Sequence, residues 1–336
     1  MSARTPRLGF LGTGWIGRHR LEAIVASGAA EIAAIADPAP ANAAAARALA
    51  PDAIELRSLD ELLETGIDGL VIATPSALHA EQSVAALKAG VAVFCQKPLG
   101  RTAEETARVV EAARRADRLL DVDLSYRHVE GARRVRDLVL GGDLGDVFAA
   151  ELVFHNAYGP DKPWFYDPAL SGGGCVIDLG IHLVDLALWT LGYPSISAAT
   201  SRLFAGGVPL EGRGGVEDYA VATLDLDGGA VARLACSWNL SAGRDAVIGA
   251  EFFGTRGSAA VRNVGGSFYD FTATHARGTS EQTIARPPDP WGGRAAVAWA
   301  RRLSEDGGYD LEAERLVEVA AAIDGIYGRR PAAVTA

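Results

Sequence analysis

Asp178, His182 and Asp185 stand at i, i+4 and i+7 in a stretch, 171–191, that is otherwise mostly apolar or small. On a helix that spacing puts all three side chains on one face. Polar groups on so apolar a helix must pair with one another or face a wet cavity. An imidazole that titrates near neutrality suits removal of a proton from an alcohol. Two other readings stay open: a structural Asp–His pair, and a metal site, for which no third and fourth ligand stand at suitable spacing. A second reactive candidate is Lys97, placed directly after the apolar run Ala92–Cys95 and followed by Pro98. It is either an ammonium held at a strand end or a surface lysine beside a turn.

The elements that must position these groups begin at the amino terminus. Gly9-Phe10-Leu11-Gly12-Thr13-Gly14-Trp15-Ile16-Gly17-Arg18 reads as a buried strand, a glycine-rich turn and a helix start. Gly12 permits the tight turn, Gly14 lets backbone approach a pyrophosphate, and Gly17 lets helix and strand pack closely. The opening N–H groups of the helix would hold the phosphate charge. A second apolar run, Glu31–Ala36, ends in Asp37, twenty residues after Gly17. An acidic side chain there accepts hydrogen bonds from ribose hydroxyls and repels a 2′-phosphate, which favours NAD over NADP. Asp37-Pro38 could instead cap the next helix.

From Arg7 to about Val122, strand-like runs (Arg7–Leu11, Glu31–Ala36, Gly69–Ile72, Ala92–Cys95, Leu120–Asp123) alternate with helical segments, the pattern of a parallel sheet covered on both faces. Ligands bind beyond the carboxyl ends of such strands. Thr74-Pro75 with His79, Gln96-Lys97 and Ser125-Tyr126-Arg127-His128 all fall there. After about residue 145 the pattern changes to longer alternating strands, which predicts an open, mostly antiparallel sheet. We therefore expect an α/β chain of two domains: a Rossmann dinucleotide-binding domain over 1–124, and a substrate-binding and oligomerisation domain over 125–336, with the last helix, Leu311–Ile326, able to pack back on the first. Cys236, Trp238 and Phe252 point to an apolar uncovered sheet face, and so to a homo-oligomer.

Bulk properties exclude several classes. At 336 residues with a net charge of −10, the chain repels nucleic acid rather than binding it. No run of about twenty apolar residues stands out as a membrane span. With the first strand starting at Arg7, no leader is expected before it. Cys95, Cys175 and Cys236 are odd in number and lack any Cys-x-x-Cys spacing, so they read as buried thiols in a reducing cytoplasm.

These features together resemble the Gfo/Idh/MocA family, named for glucose–fructose oxidoreductase and inositol dehydrogenase. The resemblance rests on the glycine motif with Trp15, Thr74-Pro75…His79, Lys97-Pro98, Gly172-Gly173-Gly174…Asp178-x-Gly180-x-His182-x-x-Asp185, and Phe253-Gly254-Thr255-x-Gly257. It implies NAD(P)-dependent redox chemistry on sugars, cyclitols and their derivatives, by a homodimer or homotetramer joined through the second domain's sheet. It also implies Lys97 as catalytic lysine, with Asp178 and His182 as the substrate-binding and acid/base pair. On that basis Gly12, Thr13, Gly14, Trp15, Ile16, Gly17, Asp37, Thr74, Pro75, His79, Gln96 and Lys97 are expected at the cofactor. Tyr126, Arg127, His155 and Trp164 are expected around a polyol, whose secondary hydroxyl gives a hydride to the nicotinamide as His182 takes its proton. Two departures stand out: Gln96 where the family usually has Glu, and Trp164-Phe165 where Trp-Arg often precedes the glycine triplet. The rival reading is a non-catalytic, cofactor-sensing or partner-binding member of the same fold.

Overall fold

The computed structural model describes residues 5–210 and 215–329. The start of the amino-terminal segment read above lies outside them. The chain divides into two units. The first runs to Leu124 and takes up residues 293–317; the second holds Ser125 to Gly292 and continues from Glu318. The sequence allowed only the last helix, from Leu311, to pack back on the first unit; the inclusion of residues 293–310 is a correction to that division.

The first unit is built on a six-stranded parallel sheet of β1 (Arg7–Leu11), β2 (Glu31–Ala36), β3 (Ile54–Leu56), β4 (Gly69–Ile72), β5 (Ala92–Cys95) and β6 (Leu120–Val122), in the order β3-β2-β1-β4-β5-β6. The order reverses beside β1, and that switch point is where a doubly wound sheet binds its ligand. Helices α1 (Trp15–Ser27), α2 (Pro40–Leu49), α3 (Leu59–Leu63), α4 (Ser76–Lys88) and α5 (Ala103–Ala116) connect the strands. Thr102 caps α5 by accepting from the Glu105 amide, as the Thr-x-x-Glu spacing predicts. Two apolar cores cover the two faces, one around Phe10, Ile35 and Phe94, the other around Leu70, Ile72 and Val109.

In the second unit a nine-stranded sheet contains β7 (Val147–Asn156), β8 (Ile196–Ala205), β9 (Val208–Pro209), β10 (Tyr219–Leu226), β11 (Val231–Ser237), β12 (Ala246–Gly254), β13 (Ser258–Asn263), β14 (Phe271–Arg277) and β15 (Ser280–Ala285). All its pairings are antiparallel except β7 with β11. Helix α6 (Glu130–Leu140), the short α7 (Pro168–Ser171) and α8 (Ile181–Thr190) belong to this unit, and α6 and α8 pack on one face of the sheet. Cys236, Trp238 and Phe252 lie in the core under those helices. They do not stand on the open face, which corrects the reason given above for an apolar outer surface. That face carries Val153, Val221, Thr223 and Ala235, flanked by Glu151, Arg202 and Arg233.

Two further helices complete the chain. In α9 (Arg294–Glu305), Trp299 is fully buried and its ring lies 5.6 Å from that of Phe94 on the first sheet. Helix α10 (Arg315–Ile326) follows a short 3₁₀ turn, Leu311–Glu314. Residues 168–190 contain an 18-residue window, of mean hydropathy 1.4, apolar enough to count as a membrane span by composition. Here 83% of that window is buried within the protein, and the glycine triplet interrupts the stretch.

Candidate active site

The glycine loop of the first unit has the geometry that its spacing predicts. Gly12 holds φ +86°, and a Cβ there would come within 2.5 Å of the Ala73 carbonyl oxygen. A Cβ on Gly17 would strike the Gly12 carbonyl. At Gly14 a Cβ would meet nothing within 4 Å. The residue at the helix N-cap therefore faces open space, and the first turn of α1 carries no acidic side chain. The first helical N–H groups have no intrahelical partner. This cradle fits a dinucleotide pyrophosphate. Trp15, next in sequence, is 63% exposed and stacks on His19 with ring centroids 5.9 Å apart. Ile16 is half-buried and Thr13 fully buried.

Of the two roles left open by the sequence, Asp37 visibly fills the one at the start of the next helix, and it also holds the glycine loop. One carboxylate oxygen accepts from the Thr13 amide at 2.6 Å and the Thr13 hydroxyl at 3.2 Å. The other accepts from the Ala39 amide and the Asn42 side chain at the start of α2. The carboxylate thereby ties the end of β2 to the glycine loop.

The loops after β4 and β5 are fixed by polar side chains that point inward. His79 is 1% exposed; its Nδ1 lies 2.6 Å from the Pro98 carbonyl and its Nε2 2.7 Å from the Thr74 carbonyl. Burial pushes its pKa down, with the Lys97 charge adding to that, while the two carbonyls pull the other way. Thr74 bonds through its hydroxyl to Gln82, and Pro75 is the N-cap of α4. The Gln96 amide is buried and donates to Asp123 at 2.5 Å. Of the residues expected at the cofactor, His79 thus spends both ring nitrogens, and Gln96 its side-chain N–H, on holding the protein. Lys97 is the one residue from Val91 to Gly100 that is not buried.

In the second unit the polar stripe is arranged differently from a plain α-helix. Val176–Gly180 forms a π turn in which the Ile181 amide reaches back five residues to the Val176 carbonyl. Such turns collect at functional positions. Asp178 sits in this turn, half-exposed, and accepts from the Trp238 indole N–H at 3.0 Å. His182 is 7% exposed; its ring meets Tyr126 edge-on at 4.9 Å and lies 6.3 Å from Phe154. Asp185 is 1% exposed and takes the Arg127 Nε on both oxygens at 3.0 and 2.9 Å. Burial raises its pKa against the pull of that guanidinium. Arg127, expected beside substrate, is thus engaged with Asp185 and lies over the Tyr193 ring.

Two more expected wall residues fall elsewhere. Along β7, Leu152 and Phe154 are buried under the helices. His155 is therefore on the opposite face, stacked on Tyr219 and bonded to the Ser237 hydroxyl at 2.8 Å. Strand alternation fixes this, and it removes His155 from the Asp178–His182 face. Tyr126 is core, with burial pushing its phenol pKa up. Trp164 stacks on Phe165, whose ring in turn meets Trp238 edge-on.

Sequence reasoning missed Glu217. It is 1% exposed, and its carboxylate accepts from the Gly174 amide at 3.0 Å, the Val176 amide at 2.8 Å and the Tyr327 hydroxyl at 2.8 Å. It anchors the start of the turn that carries Asp178. Gly174 is required there because a Cβ would collide with the Glu217 backbone. No local motif marks a glutamate 43 residues downstream as the partner of the glycine triplet.

A doubly wound sheet with a pyrophosphate cradle, followed by an open sheet whose helices carry an Asp–His pair, defines a dinucleotide-binding protein of the two-domain oxidoreductase type. Residues 7–124 match the oxidoreductase family with an NAD-binding Rossmann fold, and residues 132–260 match the GFO/IDH/MocA C-terminal domain. The chain belongs to the Gfo/Idh/MocA family. It is 32% identical over 210 residues to 1,5-anhydro-D-fructose reductase of Ensifer adhaerens, covering 62% of this chain and 61% of that protein. It is 34% identical over 202 residues to inositol 2-dehydrogenase 3 of Saccharopolyspora erythraea, covering 59% and 57%. The chain thus spans about three-fifths of the length of these curated relatives. A solved levoglucosan dehydrogenase in complex with NADH shares the fold, at TM-score 0.83 and 22% identity, over 97% of this chain and 96% of that one.

Proposed function

We propose that this chain is an NAD-dependent oxidoreductase that interconverts a secondary hydroxyl of a sugar or cyclitol and the corresponding ketone. The observation that carries this reading is a pattern of exposure. Lys97 is the only residue of Val91–Gly100 that is not buried, and Asp178 is the only such residue of Ser171–Leu188. Each unit offers one charged group from an otherwise sealed segment, in a family whose members named above act on hydroxyls and ketones of small polyols.

A bound nicotinamide supplies the two-electron carrier. The chain's own residues do the rest. Lys97 holds a preorganised positive charge for the oxygen that becomes an alkoxide. His182, its ring fixed edge-on by Tyr126, takes the hydroxyl proton and returns it in the reverse direction. Asp178, steadied by the Trp238 indole, accepts from a neighbouring hydroxyl and orients the ring. Asp37 favours NAD over NADP, because a carboxylate fixed at the end of β2 repels a 2′-phosphate. The open face of the nine-stranded sheet, apolar at Val153, Val221 and Ala235, supports pairing with a second copy as a homodimer or homotetramer. Three reduced, buried cysteines support a cytoplasmic setting.

The test is absorbance of the reduced nicotinamide with NAD⁺ or NADP⁺ and a panel of cyclitols, aldoses and anhydrosugars. Reduction with NAD⁺ and one substrate group is expected. Lys97→Ala should lower turnover by roughly 10²–10³-fold, and turnover within a few-fold of wild type would remove the role given to that residue.

A further inference from the structure

We propose that Gln96, Asp123 and Arg20 form a buried device that positions Lys97, and that it depends on the neutral amide at position 96. The proposal rests on the reading of Lys97 given above.

Gln96 and Asp123 are the residues next after β5 and β6, and the sheet ladder continues through them: the Gln96 amide donates to the Ile72 carbonyl at 2.8 Å and the Asp123 amide to the Cys95 carbonyl at 2.9 Å. Their side chains meet, with Gln96 Nε2 donating to Asp123 Oδ2 at 2.5 Å. Arg20, from the second turn of α1, donates through Nε to the same oxygen, also at 2.5 Å. All three side chains are buried, at 7%, 1% and 5% exposure respectively. Asp123 Oδ1 is buried with no partner among the described residues.

Such a cluster is a poor way to gain stability. A buried ion pair roughly breaks even against apolar packing, and an unsatisfied buried oxygen is a net cost. What the cluster does achieve is geometric. It pins the residue just before Lys97 to β6 and α1, while His79 Nδ1 meets the Pro98 carbonyl just after it. With both flanks held, the Lys97 backbone has one placement, and its side chain alone leaves the buried run.

The charge balance identifies the sensitive member. Arg20 and Asp123 cancel, and the Gln96 amide adds no charge. Gln96→Glu would put a second carboxyl within hydrogen-bond distance of the first, around one guanidinium. Two carboxylates so placed give up their protons in separate steps, the second only at higher pH. While one of them keeps its proton, an O–H replaces the amide N–H and the flank stays pinned. Once it is lost, the pair repels and the flank is released. Among the described residues, His19 on α1, 2.9 Å from Arg20 Nη1, and Cys95 on β5 also face this cluster, and Lys97 follows Gln96 in the chain. Burial lowers the first and raises the second, so both favour their neutral forms.

The experiment compares wild type, Gln96→Glu, Lys97→Ala and the double variant Gln96→Glu/Asp123→Asn. For each, kcat and KM are followed against pH, with NAD⁺ affinity measured separately by fluorescence titration. For Gln96→Glu we expect a new alkaline limb, kcat falling by about tenfold per pH unit above the titration of the pair. NAD⁺ affinity should stay within about twofold, because the glycine loop is untouched. The double variant restores a single carboxylate beside Arg20 and should abolish the new limb. A Gln96→Glu profile that follows wild type, with Lys97→Ala inactive, overturns the positioning proposal alone. An active Lys97→Ala overturns the reading of Lys97 beneath it. A new limb that persists in the double variant also overturns the proposal, since the limb then owes nothing to Asp123.

Discussion

Gly14 separates binding from folding. Its φ of −57° and ψ of −173° are open to any L-residue, and a Cβ there meets nothing within 4 Å. It is also the N-cap of α1, a position where serine is at least as good as glycine. Gly14→Ser should therefore change the stability of the free protein by no more than about 0.5 kcal/mol. The added side chain fills the space in which a pyrophosphate would approach the helix start. Losing one charge-assisted hydrogen bond costs about 1.5–3 kcal/mol, which corresponds to roughly 10- to 150-fold weaker binding. The assay is quenching of the exposed Trp15 by NAD⁺, with Trp15→Phe as the control that assigns the signal, alongside thermal unfolding without ligand. Wild-type affinity in a Gly14→Ser protein of unchanged melting temperature would refute a phosphate at this helix. A large loss of stability would refute the claim that the space is empty of protein.

Asp37→Ser should narrow the preference for NAD over NADP in parallel titrations, and should also lower the melting temperature, because the carboxylate anchors the Thr13 and Ala39 amides; an unchanged preference would leave Asp37 a cap only. Glu217 gives a pH dependence. Burial raises its pKa above the ordinary 4.5 against four hydrogen bonds that lower it, so over the window above 4.5 the folded chain binds more protons than the unfolded one. Stability from this group therefore falls as pH rises. Glu217→Gln should lack that slope, so its melting temperature should lie furthest below wild type at acid pH and approach it as pH increases; parallel curves would contradict the assignment. On the open sheet face, Val221→Arg should lower the solution mass measured by light scattering, and an unchanged oligomer would place the interface elsewhere.

Most of the parallel sheet was legible because both-face burial writes itself into the sequence as continuous apolar runs. β1, β2, β4 and β5 have the limits read from the sequence. The edge strand β3 was missed because three residues, Ile54–Leu56, are too few to show a period. Helix α9 was missed for another reason. Its buried face is Ala295, Ala296, Trp299 and Ala300, and only one of these is large enough to register as an apolar contact. β14 and β15 are poor in large apolar residues, Phe271 and Ile284 apart, so their alternation is faint. At the candidate site, spacing singles out Asp178 and His182 as candidates, but the π turn between them was not legible. No residue type announces a five-residue hydrogen bond, and its presence depends on how the Gly172–Gly174 segment is held by Glu217.

The same physical arrangement recurs in both units. A charged group that is only half-buried stands in an otherwise sealed segment that is tied down by buried polar side chains drawn from distant sequence. For Lys97 the ties are Asp123, 27 residues from Gln96, and Arg20, 103 residues from Asp123. For Asp178 they are Trp238, 60 residues away, and Glu217, which grips the start of the turn. Lys97 and Asp178 stand out in the sequence as candidates because each is a reactive residue type in an apolar run. The residues that hold them do not, since an isolated arginine, aspartate or glutamate looks the same whether it faces water or a buried partner. Only the three-dimensional pairing distinguishes the two cases, which is why the departure at Gln96 reads in sequence as a change beside Lys97 and in the structure as the neutral arm of a buried ion pair.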